Sequence, residues 1–229
     1  MTKSTFDAYA AAYETALSQG LTATGESADY FARGRIQFLR KILARLDHTP
    51  ARMLDFGCGT GTSIPLLLAL PGAKEVTGVD ISPESLKIAA EKNPAPRALF
   101  ATFQSLAPNS SIDLAFCNGV FHHIPPAERP HAMKFIFDSL RPGGLFAFWE
   151  NNPWNPGTRY VMSRIPFDRD AVTLSPPESQ RLAQSAGFEI LFIRYLFFFP
   201  RSLSRLRWLE PAFNRIPLGG QYLVLCRKS

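Results

Sequence analysis

The sequence is poor in cysteine: three among 229 residues, Cys58, Cys117 and Cys226, odd in number and with no Cys-x-x-Cys pair. That excludes a disulfide scaffold and a paired zinc or redox motif, and leaves reduced thiols in apolar surroundings. A long apolar run is also missing. Arg194 and Pro200 break the longest candidate, Phe188 to Phe199, short of the ~20 residues that cross a bilayer, so no transmembrane segment is expected. Nothing in Met1 to Ala10 leads through an apolar block to a small-residue cleavage site, so no secretory signal is read and the expected location is cytoplasmic. There is no strict glycine period, internal repeat or low-complexity tract, and 46% hydrophobic with 12% aromatic residues is too apolar for a disordered chain. What is present suffices for a single domain over 1–229. Its net charge of +6 is as compatible with ordinary solubility as with an anionic partner.

Helical composition from Ser4 to Ser18, and a second helix from Ser27 with Phe31, Phe38, Leu39, Ile42 and Leu46 at helical spacing, predict an N-terminal helical cap over 1–48. Arg33, Arg35, Arg40 and Lys41 fall to its other faces. A core over 51–150 follows, with strands at Met53 to Phe56, Glu75 to Asp80, Ala98 to Phe103, Ile112 to Cys117 and Leu145 to Glu150. Between them lie helices at Ile64 to Leu70, Ser82 to Lys92 and Pro126 to Leu140, and Pro142-Gly143-Gly144 reads as the turn into the fifth strand. Strands alternating with helices imply a parallel sheet covered on both faces. The remainder, 151–229, reads as a proline-interrupted excursion from Asn151 to Pro177, then a capping-box helix from Ser175. Two further strands, Phe188 to Phe199 and Gln221 to Arg227, form an antiparallel pair around an insertion over about 201–219. The expected architecture is α/β, a doubly wound sheet of about seven strands, mostly parallel with an antiparallel C-terminal strand, preceded by two helices.

The run Leu54-Asp55-Phe56-Gly57-Cys58-Gly59-Thr60-Gly61 ends the first strand and opens onto a helix. Glycines there permit a tight turn and close approach of a ligand to the backbone, at the strand ends where open parallel sheets bind ligands. Alone it equally describes a plain strand-to-helix turn. Asp80, 19 residues past Gly61, adds an acceptor-only carboxylate placed to take both hydroxyls of a ribose. The shortened Gly-x-Gly-x-Gly spacing and the acidic Asp55 argue against a pyrophosphate and for a ligand carrying an ammonium group.

With these motifs in order, the sequence resembles the class I S-adenosylmethionine-dependent methyltransferases over roughly Phe6 to Glu150, a Rossmann-like fold. Leu54 to Gly61 looks like the family's first motif and Asp80 like its ribose acid. Ile112 to Phe116 resembles its fourth strand, Asn118 and Phe121-His122-His123-Ile124-Pro125 the loop beyond, and Leu140 to Gly144 the turn into strand five. Phe6, Asp7, Tyr9, Ala10 and Tyr13 resemble the helix that closes over the cofactor in small-molecule members. The resemblance implies S-adenosyl-L-methionine as cofactor, with Gly57, Cys58 and Gly59 against its methionine and ribose portions and Asp80 and Ile81 around the nucleoside. It places Asn118 at the methionine part and Arg33 against its carboxylate. Where many members carry an acid for the adenine amino group this chain has Thr102, Phe103 and Gln104, so Thr102 or Gln104 is left to meet the adenine edge.

Methyl transfer from a sulfonium is an in-line displacement that needs alignment and dryness more than a strong base. An alcohol or phenol acceptor must still shed a proton, for which His122 or His123 is placed after strand four and Glu150 at the end of strand five. The plainer reading of these residues is a loop cap, a pocket wall and a solvated strand end. A metal at His122, His123 and His131 is not expected, since adjacent histidines diverge and no carboxylate pair stands at a recognisable ligand spacing. The aromatic run Phe192, Tyr195, Phe197, Phe198 and Phe199, with Leu203, Leu206 and Leu209 beyond it, suits a small hydrophobic acceptor or peripheral lipid contact, or else an inner strand packed on both faces. No nucleic-acid partner is expected, because no added binding module or aromatic-basic motif is present. The rivals are a nicotinamide-dependent oxidoreductase, which Asp55 and the glycine spacing oppose, and a non-catalytic partner retaining the fold as scaffold.

Overall fold

The computed structural model describes residues 13–94, 96–169 and 171–229, so the expected helix closure at Phe6 to Ala10 lies outside the described residues. Two helices, α1 (Tyr13–Leu21) and α2 (Ala28–Arg45), precede the first strand. Then follow β1 (Arg52–Phe56), α3 (Ile64–Leu68), β2 (Glu75–Asp80), α4 (Pro83–Lys92), β3 (Ala98–Thr102), β4 (Ile112–Asn118), α5 (Arg129–Ser139) and β5 (Leu140–Asn151). The chain closes with α6 (Pro156–Arg164), α7 (Pro176–Ser185), β6 (Phe188–Leu196), a stretch of 3-10 turns over Arg201–Leu209, the short α8 (Glu210–Phe213) and β7 (Gln221–Lys228).

The seven strands form one sheet in the order β3-β2-β1-β4-β5-β7-β6. Five strands pair in parallel through β1–β2, β1–β4, β2–β3 and β4–β5. β7 inserts antiparallel between β5 and β6, which makes it the one reversed strand. The pleat sends alternate residues to opposite faces. Phe146 and Phe148 join Leu54, Phe56, Tyr222 and Val224 on one side, while Leu145, Ala147 and Trp149 join Met53, Leu114, Phe116 and Leu223 on the other. Helices cover both faces, so the central strands are apolar on both sides, and each such side chain taken fully out of water contributes ~1.5–3 kcal/mol.

Cap chemistry is where the sequence expects it. Ser27 and Ser82 accept from the backbone N–H of Tyr30 and Ser85, and Ser175 with Glu178 closes a capping box. Three expectations change. β5 begins at Leu140 and runs through Pro142-Gly143-Gly144, whose residues bulge from the ladder between Ile112 and Leu114 instead of ending it. The expected irregular stretch after Asn151 contains α6, nucleated by Asn155, whose side chain accepts from Thr158 N–H, with Pro156 in the first turn where its missing N–H costs nothing. The strand expected to run to Phe199 stops at Leu196, before the last three phenylalanines, and the insertion beyond it is mostly 3-10. No helix among the described residues is long and apolar enough to cross a membrane.

Candidate active site

The carboxyl ends of β1, β2, β4 and β5 open onto a cleft with two lobes, of about 690 and 520 Å³. Gly57, Gly59, Thr60, Asn118, Gly119 and His123 border both lobes, so the loop after β1 stands at the junction. Gly57 has φ +73°, and a Cβ there would meet Val120 Cγ2 at 2.3 Å. Gly59 has φ +52° and nothing within 4 Å of such a Cβ, which leaves open space beside its backbone. Asp80 ties the loop down: Oδ2 accepts from Gly59 N–H at 2.9 Å and Oδ1 from Ser82 N–H at 2.9 Å. A carboxylate offers about four acceptor positions, so these two bonds leave room for sugar hydroxyls.

The smaller lobe is lined by Phe56, Val79, Asp80, Ile81, Phe103, Ile124 and His131. Its wall is mostly apolar, with Asp80 among its polar members. Phe103 packs edge-on against Phe56 with centroids 5.7 Å apart. Thr102, expected at the adenine edge, turns its hydroxyl onto Ser105 at 2.9 Å and is not part of either wall.

The larger lobe begins at Asp55, Cys58, Thr60 and Asn118 and widens between α1, α2, α6 and the Phe197 to Pro200 corner. Asp55 Oδ2, Thr60 Oγ1 and Asn118 Oδ1 are buried with no hydrogen-bond partner among the described residues. Buried polar atoms carry partners as a rule, so this trio reads as a set of groups awaiting a ligand. Burial and the nearby Asp80 push the Asp55 carboxyl up to about 7, with Arg35 opposing them. Burial likewise raises the Cys58 thiol well above its ordinary value, which makes it an inert wall.

Arg33, expected at the methionine carboxylate, sits on the outer face of α2, where it pairs with Asp29 at 2.6 Å and is 60% exposed. Arg35 takes the inner face with Ala32, Ile36 and Leu39, donates to Gln221 Oε1 at 2.8 Å, and lines the larger lobe. The assignment of Arg35 to an outer face is therefore corrected. Positions 32, 35, 36 and 39 follow the helical repeat, and that spacing was the available signal.

Past Asn118 the loop carries His122 and His123 to the same lobe, and the rings do not diverge: their centroids are 4.1 Å apart. His122 Nδ1 lies 2.6 Å from Glu150 Oε2, while Glu150 Oε1 accepts from Phe121 N–H at 2.8 Å. Glu150 is 1% exposed, so it is no solvated strand end. Asp168, which sequence reasoning missed, places Oδ1 3.5 Å from His122 Nε2 and 3.2 Å from His123 Nε2. Burial opposes charge on His122, but Glu150 and Asp168 outweigh it and hold its pKa at about 10. Arg129 fixes the arrangement by donating to the carbonyls of Phe121, Ile124 and Val172, and Val172 N–H bonds His122 O at 3.0 Å.

Residues 53–144 match the family described as "Methyltransferase domain". A trans-aconitate 2-methyltransferase from Rhodopseudomonas palustris (strain BisB18) is 29% identical over 157 residues, 68% of this chain and 58% of that protein. One from Azoarcus sp. (strain BH72) is 31% identical over 137 residues, 59% and 53% of the two chains. The chain thus spans less than two thirds of the length of these curated relatives. Among solved structures, a SAM-dependent methyltransferase from Thermotoga maritima superposes with a TM-score of 0.68 at 18% identity, over 98% of each chain. Over residues 53–144 the chain is similar to a methyltransferase domain family, and its fold is that of solved S-adenosylmethionine-dependent methyltransferases, a likeness that points to S-adenosylmethionine as the cofactor.

The cleft fits that cofactor. Asp55, Thr60 and Asn118 offer buried oxygens without partners among the described residues, able to accept from an ammonium, and Gly59 leaves open space beside its backbone.

Proposed function

We propose that this chain transfers a methyl group from S-adenosylmethionine to a small, largely apolar acceptor, most directly to an oxygen at its polar end. The observation that carries the reading is a cleft in which a mostly apolar lobe containing Asp80 meets a larger aromatic lobe at the Gly57–Gly59 turn. Asp80 and Ile81 hold the ribose, Phe103 faces the adenine, and Asp55, Thr60 and Asn118 take the ammonium. Gly57 and Cys58 back the sulfur, and Arg35 replaces Arg33 as the cation for the carboxylate. S-adenosylmethionine, when bound, supplies an electrophilic methyl group on a sulfonium. The chain's own task is to align the acceptor and exclude water.

The relatives' names point to trans-aconitate, a polycarboxylate. Among the described residues, however, the wall of the larger lobe has one Arg or Lys, Arg35, against Leu17, Leu21, Tyr30, Phe31, Met162 and Phe197. Several carboxylates would stay unpaired there, at a heavy desolvation cost. This favours an acceptor with one polar end, which meets His122, His123 and Asp168 with Glu150 behind them. We assign to this cluster the positioning of the nucleophilic oxygen and the loss of its proton. Beside the lobe's mouth, Leu203, Leu206 and Trp208 stand exposed among Arg201 and Arg205, a surface suited to peripheral contact with lipid while a greasy acceptor is taken up.

The test is release of S-adenosylhomocysteine across an acceptor panel of hydroxylated terpenoids, phenols, fatty acids and trans-aconitate. Turnover confined to apolar hydroxyl compounds is the expected result. Turnover of trans-aconitate alone would replace the acceptor assignment, and none with any member would remove it.

A further inference from the structure

We propose that His122, His123 and Asp168 form a binding site for a first-row divalent transition-metal cation, opening into the larger lobe. One nitrogen from each imidazole and one Asp168 oxygen lie within 4.8 Å of one another. Two donors on an ion at ~2.1 Å stand ~3.0 Å apart at a right angle and ~3.4 Å apart at the tetrahedral angle. The two Nε2 to Oδ1 separations, 3.2 and 3.5 Å, fall at or near that range. Both exceed the usual charge-assisted hydrogen-bond length of ~2.7–2.9 Å. One oxygen shared by two nitrogens at such distances is spaced for a common ion.

The surroundings agree. Glu150 holds His122 Nδ1 at 2.6 Å, so the ring is fixed with Nε2 toward Asp168, the outer-carboxylate arrangement that orients a metal-binding histidine. Charge also balances. An ion that displaces the proton of His122 leaves two buried carboxylates beside two neutral imidazoles, whose two negative charges a divalent ion cancels. Two nitrogens and one carboxylate form a borderline donor set, suited to Mn²⁺, Fe²⁺, Co²⁺, Ni²⁺ or Zn²⁺ rather than to Ca²⁺, which takes oxygen throughout. All three residues line the cleft, so the remaining coordination positions face the place assigned to the acceptor's polar end. There an acceptor oxygen would bind and become easier to deprotonate, as water does on such ions. That last role rests on the reading of the cleft as an acceptor site, whereas the metal site itself does not.

Protein stripped with a chelator and titrated with Co²⁺ is expected to develop visible absorption saturating at one ion per chain. Asp168→Asn and His123→Ala should abolish that signal, Glu150→Gln should weaken binding ~10–100-fold, and His48→Gln, outside the cleft, should leave it unchanged. S-adenosylmethionine binding, measured on every variant, reports folding and a functional cofactor lobe. No saturable Co²⁺ signal, or an equal signal in folded Asp168→Asn, overturns the metal site. Failure of the wild type to bind S-adenosylmethionine while Co²⁺ binds overturns the methyltransferase reading alone.

Discussion

Replacement of Asp55 by Asn separates stability from ligand binding with a sign fixed by the structure. Asp55 is 3% exposed, and burial beside Asp80 lifts its carboxyl from 3.8 to about 7. Between those values the folded protein holds a proton that the unfolded chain has released, so rising pH costs stability across that window, and the loss is complete above it. About three pKa units correspond to ~4 kcal/mol; relaxation of the loop and the bonds that Asn forgoes reduce this to an expected ~2–4 kcal/mol. Asp55→Asn should therefore be the more stable protein at pH 8, by ~4–16 °C in Tm for a chain of this size. The gain should shrink toward zero near pH 4. The same change removes the charge offered to the cofactor's ammonium and should weaken S-adenosylmethionine by ~10–100-fold. Urea titrations at several pH values, with calorimetry alongside, read both effects. A variant no more stable than wild type at pH 8, or one whose gain does not depend on pH, would refute the reasoning.

Because an ammonium favours ionised Asp55, S-adenosylmethionine binding at pH 6 should release protons, seen as a dependence of calorimetric heat on buffer ionisation enthalpy, and this should fade by pH 8.5. Gly57→Ala combines positive φ with a 2.3 Å clash on Val120 and should abolish cofactor binding while lowering Tm, measured by thermal scanning. Tyr222→Phe forfeits bonds to Ser179 Oγ at 2.7 Å and Leu174 O at 2.9 Å deep in the core, and should cost ~1–2 kcal/mol in urea unfolding. Phe197→Ala, in the larger lobe, should raise KM for an apolar acceptor several-fold and leave S-adenosylmethionine affinity unchanged.

The sheet and its cofactor end were readable because their signals are local. The glycine run, Asp80 at the next strand end and the caps at Ser27, Ser82 and Ser175 each declare themselves within a few residues. What was hidden depends on the third dimension. Asp168 reaches the histidines from 45 positions past His123, on a stretch whose prolines read as irregular, and no spacing rule connects them. Arg33 and Arg35 are both charged, and only the helical phase with Ala32 and Leu39 marks which one turns inward. Asn155-Pro156 was a legible helix start obscured by the prolines around it. The adjacent histidines converge because the 3-10 turn at Phe121–His123 and the Arg129 clamp dictate their rings, which a sequence pattern does not express.

The central claim is that the turn at Gly57–Gly59 and the carboxylate at Asp80 together seat a sulfonium nucleoside. Isothermal titration of the purified chain with S-adenosylmethionine tests it most directly: one molecule should bind per chain, and Asp80→Ala, folded by circular dichroism, should bind ~10–100-fold more weakly. Absence of binding by the wild type, or undiminished affinity in the variant, would contradict it.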